Sequence, residues 1–323
     1  MTDIAAIRAA AARARGIRRT PLLSSPGLDR EAGRRILVKA ECLQVTGSFK
    51  ARGAWSAISA LAPAERASGV FAYSSGNHAQ GVAWAAAAHD TPAVILMPSD
   101  APAVKIDNTR ALGAEVVLYD RATEDRDAIG LALAGERGLT LVPPFDHPQV
   151  IAGQGTVGLE LAGQAAEAGV TAADVLVCCG GGGLSAGIAL AVEADAPGLR
   201  VRTVEPAGFD DVARSLAEGR RVRNAATTGS ICDAILTPQP GALTFPVLER
   251  LAGPGLAVTD DEALAAMALA FRHLRIVLEP GGAVALAAAV FRGDAIGGDA
   301  VICVASGGNV DAGCFAAAIT AGG

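Results

Sequence analysis

A chain of 323 residues with 51% hydrophobic and 19% charged side chains is long enough for two moderate α/β domains and a sizeable core. A net charge of −6 leaves no electrostatic footprint for nucleic acid or an anionic membrane surface, and the apolar stretches are alanine-rich and broken by Gly, Pro or charge. Neither a membrane span nor a targeting segment is therefore expected, and a cytoplasmic location follows by default.

The opening MTDIAAIRAAAARARG predicts a surface helix capped near Thr2 or Asp3. After it, short β-rich runs alternate with helical spacing. Residues 36–41 (ILVKAE) predict a strand, and TGSFKARGA follows at 46–54. Its Lys50 is one of three lysines, with Lys39 and Lys105, against 24 arginines. Further strands are predicted at 69–75, 92–98 and 114–120, with helices at 81–88 and 104–112 between them. A helical stretch at 150–163 (VIAGQGTVGLELAG) interrupts the strands, which resume at 174–179, 199–205 and 299–306. Helices are predicted at 263–274 and 282–291. Strand–helix alternation of this kind means mostly parallel sheets flanked by helices, here in two closely packed domains with a cleft between them. Ligands of open α/β sheets sit beyond the C-terminal strand ends, where the distinctive motifs fall. The six cysteines show no C-x-x-C and no zinc-ligand spacing, which reads as buried thiols in a reducing compartment.

Three of those motifs carry chemistry. SSGNHAQG (74–81) places small residues at a helix start, either as an anion site suited to a carboxylate or as a plain cap and tight turn. CCGGGGLSAG (178–187) holds four consecutive glycines, whose entropic cost makes sense where backbone must wrap an oxyanion such as phosphate. Gly181, Gly183 and Ala186 also fit G-x-G-x-x-A, with Glu205 ending the next strand, so a dinucleotide-binding oxidoreductase is a rival reading. VASGGN (304–309) turns sharply after a strand and gains meaning only beside its neighbours. Lys50 breaks the tie. A dinucleotide site needs no lysine in TGSFK, whereas a phosphorylated aldehyde cofactor needs both an amine and a phosphate cup.

With TGSFKARGA, SSGNHAQG, VIAGQGT, CCGGGGLSAG, VEPAGFDD, LEPGGAVALA and SGGN in order along nearly the whole chain, the sequence resembles the fold-type II pyridoxal-phosphate enzymes. Within them it is similar to the threonine/serine dehydratase and serine racemase group. The resemblance implies the tryptophan synthase β-like α/β fold. A large cofactor-binding domain would be formed by 1–52 and 147–323, and a small domain, 53–146, would close over the cleft. It also implies a homodimer. Lys50 would form the Schiff base with the cofactor, beside Phe49, and Asn77 would bond the ring hydroxyl. Ser75, Gly76, Asn77 and His78 would present donors to the substrate carboxylate. Gly180, Gly181, Gly182, Gly183 and Leu184 would hold the phosphate, and Ser306 would face the pyridine nitrogen. Glu279 is either a helix-start carboxylate or a residue near the ring. Glu205, Asp211 and the Phe209 carbonyl match the family's divalent-cation site, with hard oxygen ligands suited to Mg²⁺ or Ca²⁺; the alternative is a solvated acidic helix start. Two departures stand out. Cys42 replaces a common Asn, and Ser75 stands where dehydratases often carry Ala and racemases carry Ser.

The implied activity is that of a hydroxy-amino-acid ammonia-lyase. It would convert L-threonine or L-serine into a 2-oxo acid and ammonia, with Lys50 as base and Ser75 as the acid/base opposite. Serine racemisation and dehydration of 3-hydroxyaspartate are the alternatives on the same scaffold. The latter requires a cation for the second carboxylate; Arg52 is nearby in sequence but belongs to the general motif. With no room for a regulatory domain after SGGN, a catabolic role is expected.

Overall fold

The computed structural model describes residues 2–101, 103–120, 122–226 and 228–321. Ten strands, β1 (Leu22–Leu23), β2 (Arg35–Ala40), β3 (Val70–Tyr73), β4 (Ala93–Pro98), β5 (Glu115–Tyr119), β6 (Thr140–Leu141), β7 (Ala173–Cys178), β8 (Leu199–Pro206), β9 (Leu256–Val258) and β10 (Ala300–Ala305), form two sheets. The first runs β1-β2-β10-β7-β8-β9 and is parallel except for β1; the second runs β5-β4-β3-β6 and is parallel throughout. Fold class thus matches expectation.

The strands predicted from sequence appear within one or two residues of their expected bounds. Of the interior strands, β4 is a continuous apolar run buried on both faces, and β7 and β10 are nearly so, interrupted by Asp174 and by a half-buried Ala300, as suits helix-covered parallel strands. β1, β6 and β9 were not anticipated, because two or three residues are too few to show a period. The first helix, Ile4–Arg13, starts where Asp3 accepts the amide of Ala6 at 2.8 Å. The other predicted helices begin one to four residues before their apolar pattern. Asp260–Leu274 opens on a capping box in which Thr259 and Glu262 satisfy each other's backbone amides, a polar start that a search for apolar spacing passes over.

The main core lies between the six-stranded sheet and its helices, and a smaller one lies behind the four-stranded sheet. The Pro148–Glu167 helix packs against both the Lys50–Ser59 helix and the Gly183–Asp195 helix, which places Lys50 and the glycine run around one cleft.

Candidate active site

β3, β7 and β10 deliver Ser74–His78, Cys178–Gly183 and Ser306 to one cavity of about 220 Å³, beyond the C-terminal edges of both sheets. Every residue expected at the cofactor or the substrate carboxylate borders it: Phe49, Lys50, Ser75, Gly76, Asn77, His78, Gly180–Leu184, Glu279 and Ser306. The residues expected to hold a cation, Glu205, Phe209 and Asp211, lie apart from it.

Four segments distant in sequence, 46–49, Asn77, Glu279 and 306–309, lock the floor of the cleft. Ser48 bridges Gly307, the Phe49 amide donates to the Ser306 carbonyl at 3.1 Å, and the Gly308 amide donates to the Gly47 carbonyl at 2.9 Å. Asn309 donates to the Thr46 carbonyl and to Asn77 Oδ1, both at 2.7 Å, and Asn77 Nδ2 donates to Glu279 Oε1 at 2.6 Å. Glu279 in turn donates its amide to the Gly307 carbonyl at 3.1 Å. A Cβ on Gly307 would overlap Glu279 Oε1, so this close approach explains the glycine. Glu279 is therefore both a helix-start carboxylate, preceding Pro280–Phe291, and a wall of the cavity.

Lys50 opens the Lys50–Ser59 helix, and its Nζ donates to the Pro144 carbonyl at 2.8 Å. Burial lowers its pKa to about 8, against a smaller pull upward from Cys178 and Glu279. Burial also pushes Glu279 up to about 7 and holds His78 at about 3; the His78 Nε2–H donates to the Val142 carbonyl at 2.8 Å. His78 is thus a neutral, fixed ring that contributes no charge. Cys178 lines the cavity against Ser306, with its thiol pushed up by burial to about 11.

Two helix N-termini face the cavity, those of Asn77–Ala87 and Gly183–Asp195, and no side chain caps either. Each leaves first-turn amides and a positive dipole end toward the cavity. At the second, Gly182 has φ +91°, and a Cβ on Gly181 would overlap the Phe145 ring. The Gly181 carbonyl accepts from the Gly241 amide at 3.1 Å and from Thr244 Oγ1 at 2.6 Å, so it is turned away and the loop is held in shape. A neutralisable amine, an uncapped glycine cup, a second anion-binding helix start and a neutral serine together make the donor set that a phosphorylated pyridine aldehyde and an amino-acid carboxylate require.

Other expectations are settled by burial. Arg52 does not reach the cavity. Its guanidinium is sealed between Glu41 (2.8 Å to each oxygen) and Glu160 (2.7 and 3.0 Å), in a network completed by Lys39, Thr20 and Gln164. The motif's arginine ties the helix of Lys50 to its neighbours and is unavailable to a substrate. Glu205 and Asp211 are only 0% and 1% exposed, which excludes the solvated helix start. Trp55 packs against a tilted Trp84 at 5.1 Å and meets His89 edge-on at 4.4 Å, away from the cavity. Sequence reading missed Pro144, Phe145, Gln154, Thr237, Lys105 and Asp233 as cavity residues. Gln154 lies in VIAGQGT, where the sequence assigns it no role, and the others lie in no motif; the approach of Phe145 to Gly181 shows only in the structure.

Residues 13–307 match the family model described as pyridoxal-phosphate dependent enzyme. The chain is 43% identical over 298 residues to L-threo-3-hydroxyaspartate ammonia-lyase of Pseudomonas sp, covering 91% of this chain and 90% of that protein. It is 39% identical to serine racemase of Oryza sativa subsp. indica, over 96% and 92% of the two chains. Among solved structures, the threonine deaminase of T.th. superposes with a TM-score of 0.90 at 45% identity, covering 96% of this chain and 99% of that one.

Proposed function

The chain belongs to the pyridoxal-phosphate dependent enzyme family, and from that premise we propose that it is a hydroxy-amino-acid ammonia-lyase acting on L-threonine and L-serine. The observation that carries the proposal is the Lys50 amine, its pKa lowered to about 8, enclosed with two uncapped helix N-termini in one cavity. Pyridoxal phosphate, bound through its aldehyde to Lys50 and through its phosphate to Gly180–Leu184, supplies an electron sink that acidifies the Cα–H of an attached amino acid.

The remaining work falls to the chain's own groups. The amides of Ser75–His78 hold the substrate carboxylate at the start of the Asn77–Ala87 helix. Lys50, released as a neutral amine, takes the Cα proton; its lowered pKa keeps a useful fraction uncharged at neutral pH. Loss of the β-hydroxyl as water then leads to a 2-oxo acid and ammonia. Asn77, held by Glu279 and Asn309, is fixed in the orientation from which its amide would donate to the cofactor's ring hydroxyl. Ser306 is neutral and cannot keep a pyridine nitrogen protonated as a carboxylate would, which favours prompt elimination over a long-lived carbanion. The Ser75 hydroxyl gives a second acid/base group on the face opposite Lys50, which permits racemisation beside elimination without requiring it. Residues 53–146, which contain the whole four-stranded sheet, form the smaller unit that closes over the cleft against 1–52 and 147–323. A homodimer and a reducing, cytoplasmic setting belong to the same reading; five of the six cysteines are buried and all six are free.

Borohydride reduction of the holoenzyme and peptide mapping test the premise: the pyridoxyl group should sit on Lys50. The activity is tested with L-threonine, L-serine and L-threo-3-hydroxyaspartate, measuring oxo acid and D-isomer together. Oxo acid from none of them would overturn the proposal.

A divalent cation, Mg²⁺ or Ca²⁺, at Glu205, Asp211 and the Phe209 carbonyl is part of the proposal. Glu205 accepts the amides of Val212 and Ala213 at 2.9 and 2.8 Å, and Asp211 Oδ1 accepts from Asn224 at 2.6 Å. Asp211 Oδ2 is buried without a partner. Burial, then the proximity of Asp211, pushes Glu205 well above the carboxylate range, and burial raises Asp211 to about 6. Among the described residues no three side-chain ligands gather anywhere, so the carbonyl and water would complete the shell. Addition of Mg²⁺ should raise the melting temperature of wild type and leave that of Asp211→Asn unchanged.

A further inference from the structure

A substrate with a carboxylate on Cβ needs a cation, and Arg52 cannot provide it. Among the described residues that line the cavity, the lysines and arginines are Lys50 and Lys105. Lys50 serves Cα. Lys105 lies on the Ala103–Ala111 helix of the four-stranded layer and faces the cavity across from Asp233, in the short Asp233–Ile235 turn that packs on the six-stranded side. Its Nζ stands 3.8 Å from Asp233 Oδ2, too long for a hydrogen bond. The Asp233 side chain is 74% exposed and that of Lys105 29%. Glu279 lines the same cavity and feels both charges of the pair, Asp233 raising its pKa ahead of Lys105, which lowers it. The substrate's own α-carboxylate is taken elsewhere, at Ser75–His78.

We propose that Lys105 is the subsite for a second substrate carboxylate, with Asp233 as a loose stand-in that the substrate displaces. The substrate class is then extended to 3-hydroxy-2-amino dicarboxylates. This assignment rests on the ammonia-lyase reading. Displacement costs little, because the exposed Asp233 carboxylate returns to water rather than remaining buried without a partner. Lys105 also joins the two layers across the mouth, so a dicarboxylate would bind both ends of the closing cleft.

The test uses holoenzyme in four forms: wild type, Lys105→Met, Lys105→Arg and Asp233→Asn. Direct binding of succinate, whose carboxylates are spaced as in the proposed substrate, is titrated calorimetrically against propionate. In parallel, the ratio of kcat/KM for L-threo-3-hydroxyaspartate to that for L-serine is measured. Lys105→Met should lower both the succinate affinity and the ratio by about tenfold, since a charge pair at the edge of a cleft is lost. Lys105→Arg should retain most of both, and Asp233→Asn should raise both. Equal loss of serine and hydroxyaspartate turnover in Lys105→Met, or succinate binding that is absent in wild type or insensitive to Lys105, overturns the assignment. If wild type turns over no hydroxy-amino acid, the ammonia-lyase reading fails, and the succinate titration still decides whether Lys105 receives a carboxylate.

Discussion

At the scale of single residues, chemistry at Lys50 depends on a neutral amine in a site that burial has made hostile to ammonium. Because its pKa is lowered to about 8, the proton-accepting fraction grows as pH rises through that value. The kcat for oxo acid release should therefore show an ascending limb centred at about pH 8, and Lys50→Ala should release none. Ser306→Asp should lower the elimination rate by at least tenfold, as a carboxylate there would hold the ring nitrogen protonated; stopped-flow spectra would show a longer-lived absorbing species. These residues were legible in the sequence because each sits in a motif whose composition has no cheaper structural explanation. Lys105, Asp233 and Phe145 were not, since each acts through a tertiary neighbour that no local spacing announces. Arg52 stands two residues from Lys50 yet points into a sealed ion network, so nearness in sequence to the lysine does not bring a side chain into the cavity.

At the scale of elements, helix N-termini carry the design. Two face the cavity, and a third, that of Asp211–Glu218, receives Glu205 and Asp211 together. Burial of Asp211 at that third terminus makes stability depend on pH. The Asp211 carboxyl is raised from its ordinary 3.8 to about 6, so the folded chain holds this proton more tightly than the unfolded one. Its contribution is full below about 3.8 and is lost as pH rises through about 6. Without added cation, the melting temperature of wild type should fall between about pH 5 and pH 7, and Asp211→Asn should flatten this slope. The six-residue strands were readable from apolar runs; β1, β6 and β9 and the polar first turns of helices were not, because they carry no hydrophobic period.

At the scale of the whole molecule, two parallel sheets meet across a cleft whose floor is locked by 46–49, Asn77, Glu279 and 306–309 and whose mouth is spanned by Lys105 and Asp233. The α/β alternation predicted both sheets; how they meet is set by long-range packing of the Pro148–Glu167 helix. Succinate or substrate should slow amide hydrogen exchange in 70–141 more than in β7 or β10, which lie in the main core and exchange slowly already. The scarcity of lysine has a practical sequel. One of the three, Lys39, is fully buried, and the other two line the cavity. Glycating sugars, acyl donors and amine-directed cross-linkers would thus find their lysine targets inside the catalytic cleft, so chemical damage that elsewhere decorates a surface would here register as loss of turnover.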